Sequence, residues 1–217
     1  MREVFTGELN ELLERLGELG ALAAEGLESA TEALFGGDLL AAQNALDLDV
    51  RLDELTVDSA HRAMKILALQ APVATDLRLV FSAVRISGDL SRMVQLTLHI
   101  ARVARRRFPD MLARGALHDD LVVMAELASR IAAVLRDVFT HLDLDTIRGV
   151  RTLQRELDVV HSRVLATVEG KGWDGDVPTA VNTVLVARFY GRFGDQAADV
   201  ADRLIFFVTG ERPAEVA

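Results

Sequence analysis

The sequence predicts an all-α, elongated protein made of two tandem three-helix bundles, and three observations carry this prediction. Hydrophobic residues make up 50% of the 217 residues but aromatic residues only 5%, so the core must consist mainly of Leu, Val and Ala, as in helical bundles. Apolar residues recur at spacings of three and four, with no strand-like alternation and no glycine-rich phosphate loop. Two short segments of the first half also recur, in the same order, in the second half. Helices of roughly 30 residues are about 45 Å long, so antiparallel packing gives a rod.

The first three helices are predicted before Pro109. Gly36, Gly37 and Asp38 end the first helix. Pro72 ends the second helix and serves as a first-turn residue of the third. Arginines close the third helix, where cations are favoured at the negative end of the helix dipole. The predicted core positions of these helices are Leu9, Leu13, Leu16, Ala23, Leu27, Ala30, Leu34, Ala45, Leu48, Leu52, Leu55, Ile66, Leu69, Leu77, Val80, Phe81, Val84 and Leu98.

Three further helices are predicted after the link PDMLARGALHDD. LDLD at 142–145 closes the fourth helix, and GKGWDGDVP at 170–178 forms the turn after the fifth, with Trp173 packing at the tip of the hairpin. Gly210 and Pro213 end the sixth helix. The predicted core positions are Leu117, Leu121, Ala125, Ala128, Ala132, Leu135, Val138, Phe139, Ile147, Val150, Leu157, Val164, Val168, Val186, Phe189, Phe193, Ala197, Val200, Leu204 and Phe207.

An internal duplication relates the two halves. DLSRMVQLTLHIA at 89–101 aligns with FYGRFGDQAADVA at 189–201, which matches Arg92 with Arg192. The preceding helices align at a shift of 105 positions, where DVRLD at 49–53 meets QRELD at 154–158. Two matches in the same order favour duplication. We therefore predict two pseudo-twofold repeats at 1–109 and 116–212, with 110–115 as linker and 213–217 as tail.

Charge and composition exclude several classes of function. A net charge of -9 with a pI near 5.1 disfavours a nucleic-acid partner. The absence of cysteine leaves oxygen or imidazole as the ligands for any metal. The N-terminal sequence MREVFTGELNELLERL is acidic and amphipathic, unlike a signal peptide, and the longest apolar runs, such as 204–208, are too short to span a bilayer. We expect a soluble cytoplasmic protein that meets a membrane only through its partners.

Three segments carry the most specific pattern in the sequence, PVATDLRLVFSAVRI at 72–86, RFYGRFGDQAADVADRLIFFVTG at 188–210 and DVRLDEL at 49–55. With them the chain resembles the PhoU-type regulators of phosphate uptake, and the resemblance covers nearly the whole chain. The motif residues taken from this resemblance are Pro72, Asp76, Arg78, Arg92 and Arg192. Asp76 suits the positive end of the third helix, and Arg78 is expected to pair with a neighbouring acid.

A metal site is one interpretation of the acidic residues. Carboxylates four residues apart lie on one face of a helix, and some PhoU-type proteins hold metal clusters on such motifs. Here the Glu-x3-Asp-x3-Asn pattern of the family has become Ser91, Gln95 and His99 in the first repeat and Gly191, Asp195 and Asp199 in the second, where Gln154 also replaces a carboxylate. The candidate ligands, for a hard divalent cation or iron, are Asp49, Asp53, Gln95, His99, Asp158, Asp195 and Asp199.

The alternative interpretation needs no metal, so no cofactor is required. These acids are then solvated residues opposite the apolar stripe, or are held together by Arg92 and Arg192, because a guanidinium binds carboxylates in a bidentate manner.

The resemblance implies a non-enzymatic regulator that represses the phosphate-starvation response when phosphate is abundant. It also implies an adapter between a PstB-type ATPase of the phosphate transporter and a PhoR-type sensor histidine kinase, and a homodimer. A metal-binding bundle with carboxylate-bridged metal chemistry is the alternative; it usually needs Glu-x-x-His pairs, and none of the five histidines has a glutamate three residues before it. A structural bundle without a ligand is the third reading.

Overall fold

The computed structural model describes residues 2–110 and 112–211. Within them it contains six helices and no strand, so the all-α prediction is confirmed. The helices are α1 (Arg2–Gly36), α2 (Leu39–Gln70), α3 (Ala74–Arg107), α4 (Gly115–Asp137), α5 (Leu144–Glu169) and α6 (Val177–Thr209). No helix of the described chain is long and apolar enough to cross a membrane.

The helices pack as two groups of three that share one core. α1, α2 and α3 contact one another, as do α4, α5 and α6, while α1 also packs on α4 and α3 on α6. One continuous cluster of buried apolar side chains runs through both groups. Tyr190 and Phe193 of α6 are its largest fully buried members. At Gly20 a Cβ atom would lie 2.7 Å from the Leu135 carbonyl oxygen, so this glycine lets α1 approach α4 closely.

α3 and α6 cross in antiparallel directions at the junction of the repeats. The His99 ring stacks on Phe189, with ring centroids 5.2 Å apart. The repeat shift of 100 residues relates Asp89 to Phe189 and His99 to Asp199. Asp89 and Asp199 also lie close to each other, since the negative charge of Asp199 raises the pKa of Asp89. The contact and its counterpart are therefore related by a pseudo-twofold axis, which passes close to the equivalent positions Val94 and Gly194.

Aspartates begin three of the helices. Asp38 accepts hydrogen bonds from the backbone nitrogens at the start of α2, Asp143 from Thr146 at the start of α5, and Asp176 from Thr179 at the start of α6. These threonine hydrogen bonds lower the pKa of Asp143 and of Asp176. The prediction that LDLD closes α4 was therefore wrong: α4 ends at Asp137, and LDLD begins α5.

The link between α2 and α3 also differs from the prediction. Pro72 was expected inside the first turn of α3, but the helix begins at Ala74, after the N-cap residue Val73. Ala71, the C-cap of α2, adopts a left-handed conformation with φ of 44°. Pro72 therefore lies in a short link between the left-handed Ala71 and the extended Val73, outside both helices.

Most of the predicted core positions are buried or half-buried, and four are wrong. Leu69, Leu77, Phe81 and Val84 are exposed, Phe81 at 58% and Leu69 at 68%. The first half of α3 carries apolar side chains on two sides, and the helix turns Val80 and its neighbours inward. Leu77, Phe81 and Val84, spaced by four and three residues, instead form an outward apolar stripe, called here the α3 stripe.

Candidate functional site

In the first repeat the acidic residues of α2 face solvent. Asp49 and Asp53 are exposed, and neither forms a hydrogen bond or an ion pair with another described residue. One turn further on, a polar contact joins α2 to α3, where the Thr56 and Ser91 hydroxyl oxygens lie 2.8 Å apart. Ser91 donates its own proton to the Ser87 carbonyl oxygen, 2.7 Å away, so Thr56 must be the donor between them. Ser91 occupies the place of the family's glutamate and is already engaged.

In the second repeat an amide holds the acidic residues together. The Gln154 side-chain nitrogen donates to Asp158 Oδ2 at 2.5 Å and to Asp195 Oδ1 at 3.2 Å. Arg192 Nη1 lies 3.3 Å from Asp195 Oδ2. Burial, with the negative charge of Asp195, raises the pKa of Asp158. The His161 ring lies against Gly191, so this pair takes the place that Thr56 and Ser91 have in the first repeat.

These residues do not fit a resident hard cation. Among the residues that the structure describes, no group of three or more His, Cys, Asp or Glu side chains is arranged to hold a metal ion. In the second repeat the Gln154 nitrogen lies between two carboxylates and already satisfies them. In the first repeat the acids of α2 are spread over an exposed surface. A hard cation needs several converging oxygen ligands, so metal binding stays a prediction that this donor set does not favour.

The predicted ligands Gln95 and His99 instead line a groove between α3 and α6. The groove has a volume of about 370 Å³. Burial, followed by the positive charge of Arg102, lowers the pKa of His99. Arg92 and Arg192 reach the same groove, which we call the crossing groove because it lies at the crossing of the two helices. Its lining residues are Arg92, Gln95, Leu96, His99, Arg192 and Gln196.

A larger cleft of about 830 Å³ lies between the inter-repeat link and the turn between α5 and α6. Trp173 is partly buried, packs against the core and forms one wall of this cleft, in agreement with its predicted packing role. Sequence analysis did not identify the cleft, because the link and the turn are about 60 residues apart in the chain.

Two motif residues have clear local roles. Asp76 lies in the first turn of α3, as predicted. Arg78 was expected to pair with an acid, and this was wrong: it donates to the Thr75 hydroxyl at 3.1 Å, and its guanidinium lies beside Gly210 at the end of α6. Arg78 thus connects the start of α3 to the end of α6.

Several contacts between helices were not found from the sequence. Asp89 pairs with Arg203 at 2.9 Å, Arg106 donates to Asn182 at 2.7 Å, Arg151 pairs with Asp202, and the buried Tyr190 hydroxyl lies 3.0 Å from Thr31. No spacing along one helix predicts them. Once α3 and α6 are known to cross in antiparallel directions, the pairs between them can be predicted. A residue later in α3 then meets a residue earlier in α6, as Arg106 meets Asn182.

Comparison with known proteins gives consistent matches over nearly the whole chain. The PhoU domain model matches residues 16–104 and 121–204. The phosphate-specific transport system accessory protein PhoU homolog 2 of Mycobacterium tuberculosis is 35% identical over 213 residues, covering 98% of this chain and 100% of that protein. PhoU homolog 1 of Mycobacterium leprae is 33% identical over 215 residues, covering 99% of this chain and 97% of that protein.

Two crystal structures share the fold. PhoU from Pseudomonas aeruginosa superposes with a TM-score of 0.88 at 23% identity, over 95% of this chain and 100% of that one. The phosphate transport system regulatory protein PhoU from Streptococcus pneumoniae gives 0.86 at 24% identity, over 96% and 99%. With both repeats matched in sequence and the fold matched end to end, this chain belongs to the PhoU family.

Proposed function

We propose that this chain is a non-enzymatic, cytoplasmic regulator of phosphate uptake. It acts as an adapter between the ATPase of a phosphate ABC transporter and a sensor histidine kinase, and it represses the starvation response when phosphate is abundant. The observation that carries the proposal is end-to-end similarity to proteins named as accessory proteins of the phosphate-specific transport system. We also propose that it works as a homodimer, which sedimentation of the purified chain would test.

The α3 stripe supports an adapter role. Leu77, Phe81 and Val84 lie on one face of α3 at exposures of 45%, 58% and 50%. Clustered exposed apolar side chains are typical of protein-binding surfaces, whereas single ones are ordinary. An adapter needs such a face. We therefore propose that the transporter ATPase binds at the α3 stripe.

A pull-down under phosphate-replete conditions tests this proposal with purified ATPase and kinase as baits. We expect the wild-type chain to bind both. Val84→Asp should weaken ATPase binding at least about tenfold, because it puts a charge into an apolar contact. Val159→Asp is the matched control: Val159 is an exposed valine of α5, outside the stripe, and its replacement should leave binding unchanged.

A deletion strain supplies the second measurement. Without the chain, genes of the starvation response should be expressed even in high phosphate, and the wild-type gene should restore repression. Failure to bind either bait, together with normal repression in the deletion strain, would refute the proposed function.

A further inference from the structure

The crossing groove collects positive charge from both repeats. Arg92 of α3 and Arg192 of α6 occupy equivalent positions, and both line the groove. Because the pseudo-twofold axis passes through this crossing, the duplication places the two guanidinium groups in one cavity. Guanidinium groups are planar, always charged and rich in donors, which suits them to bind oxyanions.

Arg92 is not neutralised by a direct contact. It forms no hydrogen bond or ion pair with any other residue that the structure describes. Its positive charge acts on Asp89, one turn earlier on α3, whose pKa is raised chiefly by burial. Asp89 already has an ion pair with Arg203 at 2.9 Å and is also influenced by Arg85. Arg203, Arg85 and Arg92 therefore all act on Asp89, which also feels the negative charge of Asp199, so Arg92 has no carboxylate of its own.

Arg192 is only partly engaged. Its contact with Asp195 is long, at 3.3 Å, and involves one of its nitrogens. The other oxygen of Asp195 accepts a hydrogen bond from Gln154, so this carboxylate is satisfied without the full guanidinium fork. Arg192 consequently retains donors for a ligand in the groove.

Two neutral side chains add donors. Arg102 lies 3.3 Å from His99 Nδ1, and since a guanidinium only donates, the neutral His99 ring carries its proton on Nε2. Gln196 Oε1 is buried and has no hydrogen-bond partner in the described chain. If the amide is turned by 180°, its NH2 group occupies the same place and offers a donor instead. An anion in the groove would satisfy that donor.

We propose that the crossing groove binds a small tetrahedral oxyanion of the phosphate class, held between Arg92 and Arg192. A groove of about 370 Å³ accommodates such an ion with part of its hydration shell. Bidentate hydrogen bonds from two guanidinium groups would supply most of the affinity, and Gln196 and His99 would orient the ion. The proposal concerns the purified chain alone, so it stands or falls independently of the adapter role.

The test is a titration of the purified full chain with inorganic phosphate at constant ionic strength, up to about 20 mM, a range that covers millimolar affinity. Heat release and the side-chain amide signals in 15N spectra are the readouts. We expect saturable binding with shifts of the Gln95 and Gln196 amides, and competition by sulfate. Arg92→Gln and Arg192→Gln should each weaken binding about tenfold, since each removes a charge-assisted contact.

Arg148→Gln is the matched control. Arg148 forms an i,i+3 pair with Asp145 at 3.2 Å and is 57% exposed, against 3.3 Å and 55% for Arg192 with Asp195, but it lies on α5 outside the groove. Its replacement should change the affinity less than about twofold, because Arg148 lies outside the groove. Arg148→Gln and Arg192→Gln each remove one positive charge, so an effect of net charge alone would be equal in both. The absence of saturable binding to the wild-type chain, or an equal loss in Arg148→Gln, would overturn the proposal. Melting curves verify that each variant is folded.

Discussion

The two repeats carry the same residue types at the equivalent interhelical point, but on opposite helices. In the first repeat Asp49 of α2 corresponds to Gln154 of α5, and Gln95 of α3 corresponds to Asp195 of α6. In the second repeat the amide bonds to the carboxylate at 3.2 Å and also to Asp158. In the first repeat no such bond forms, and Gln95 turns to the crossing groove.

In the second repeat the acidic residues meet through a direct side-chain contact. The amide nitrogen of Gln154 bonds to both carboxylates and satisfies them without a cation. In the first repeat the amide belongs to Gln95 on α3, and it lines the crossing groove instead. The fold therefore tolerates both arrangements, and the chemistry of each repeat depends on a few side chains.

The largest effect is expected at Gly194, where the second repeat has a glycine in close contact with α5 and the first repeat has a valine. Position 94 is valine and position 194 is glycine, where a Cβ atom would lie 2.7 Å from Leu157 Cδ2. Gly194→Val should lower the free energy of unfolding by about 2 kcal/mol, because overpacking forces neighbouring side chains to move. Urea unfolding measures it. Gly88→Ala, in open space on α3, should instead stabilise by about 0.5 to 1 kcal/mol. A Gly194→Val chain as stable as wild type would contradict close packing of α6 against α5.

Gln154→Glu tests the amide of the second repeat. A third carboxylate beside Asp158 and Asp195 replaces a donor, so we expect a loss of about 1.5 kcal/mol in chelator. Millimolar Mn²⁺ or Mg²⁺ should recover much of it, since three carboxylates now converge. Thermal unfolding with and without the cation is the measurement.

Gln43→Glu is the control for this experiment. Gln43 donates to Asp47 at 2.6 Å, with the same i,i+4 spacing as the Gln154 and Asp158 pair, but it is exposed and has no third carboxylate as a partner. Divalent cations should not restore its stability. Equal recovery in both variants would indicate nonspecific binding to an acidic surface.

A smaller effect is expected from the hydroxyl pair of the first repeat. Ser91→Ala removes the acceptor that Thr56 uses and should cost about 1 kcal/mol. In a double-mutant cycle with Thr56→Val, the two changes should cost less together than the sum of the single changes, because one interaction is removed twice. Additive losses would mean that the two hydroxyl groups are not coupled.

The smallest effect concerns pH. Because burial raises the pKa of Asp158, the folded chain binds this proton more tightly than the unfolded chain, and stability falls as pH rises through the folded pKa. Asp158→Asn should therefore stabilise the chain at pH 7 by about 0.5 kcal/mol, after allowance for solvent screening. The gain should vanish below the ordinary pKa of 3.8.

Asp53→Asn is the matched control for the pH experiment. Asp53 is the equivalent residue of the first repeat and is exposed. Its replacement should leave stability unchanged, within about 0.3 kcal/mol, at both pH values. If both variants gain equally at pH 7, the effect comes from the net charge of the chain rather than from the environment of Asp158.

The sequence was sufficient to predict the six helices because apolar periodicity and glycine or proline breaks are local signals. It failed where two apolar sides compete, as at Phe81 and Val80, since periodicity shows that a helix is amphipathic but not which neighbour it meets. It also assigned LDLD to the wrong helix, because an aspartate both stops one helix and begins the next; the hydrogen bond from Thr146 to Asp143 decides the case.

The candidate site was predictable in part. The shift of 100 residues paired Ser91 with Gly191, and the structure brings them to equivalent places. Extended by three residues beyond 49–53, the shift of 105 also relates Thr56 to His161, which lie against Ser91 and Gly191 respectively. The groove could not be predicted, because it depends on how the two repeats pack on each other. Nothing in the spacing of Arg92 indicates that its neighbour across the groove lies on α6.

The stacking of His99 on Phe189, and the approach of Asp89 to Asp199 at the related place, have a consequence for evolution. In a symmetric homodimer every substitution on the axis appears twice, so a gain on one side is tied to the same change on the other. Joining both copies in one chain removes that constraint. One side could become aromatic and the other acidic while the backbones kept their shared geometry, so duplication here converts a symmetric interface into one that can evolve one side at a time.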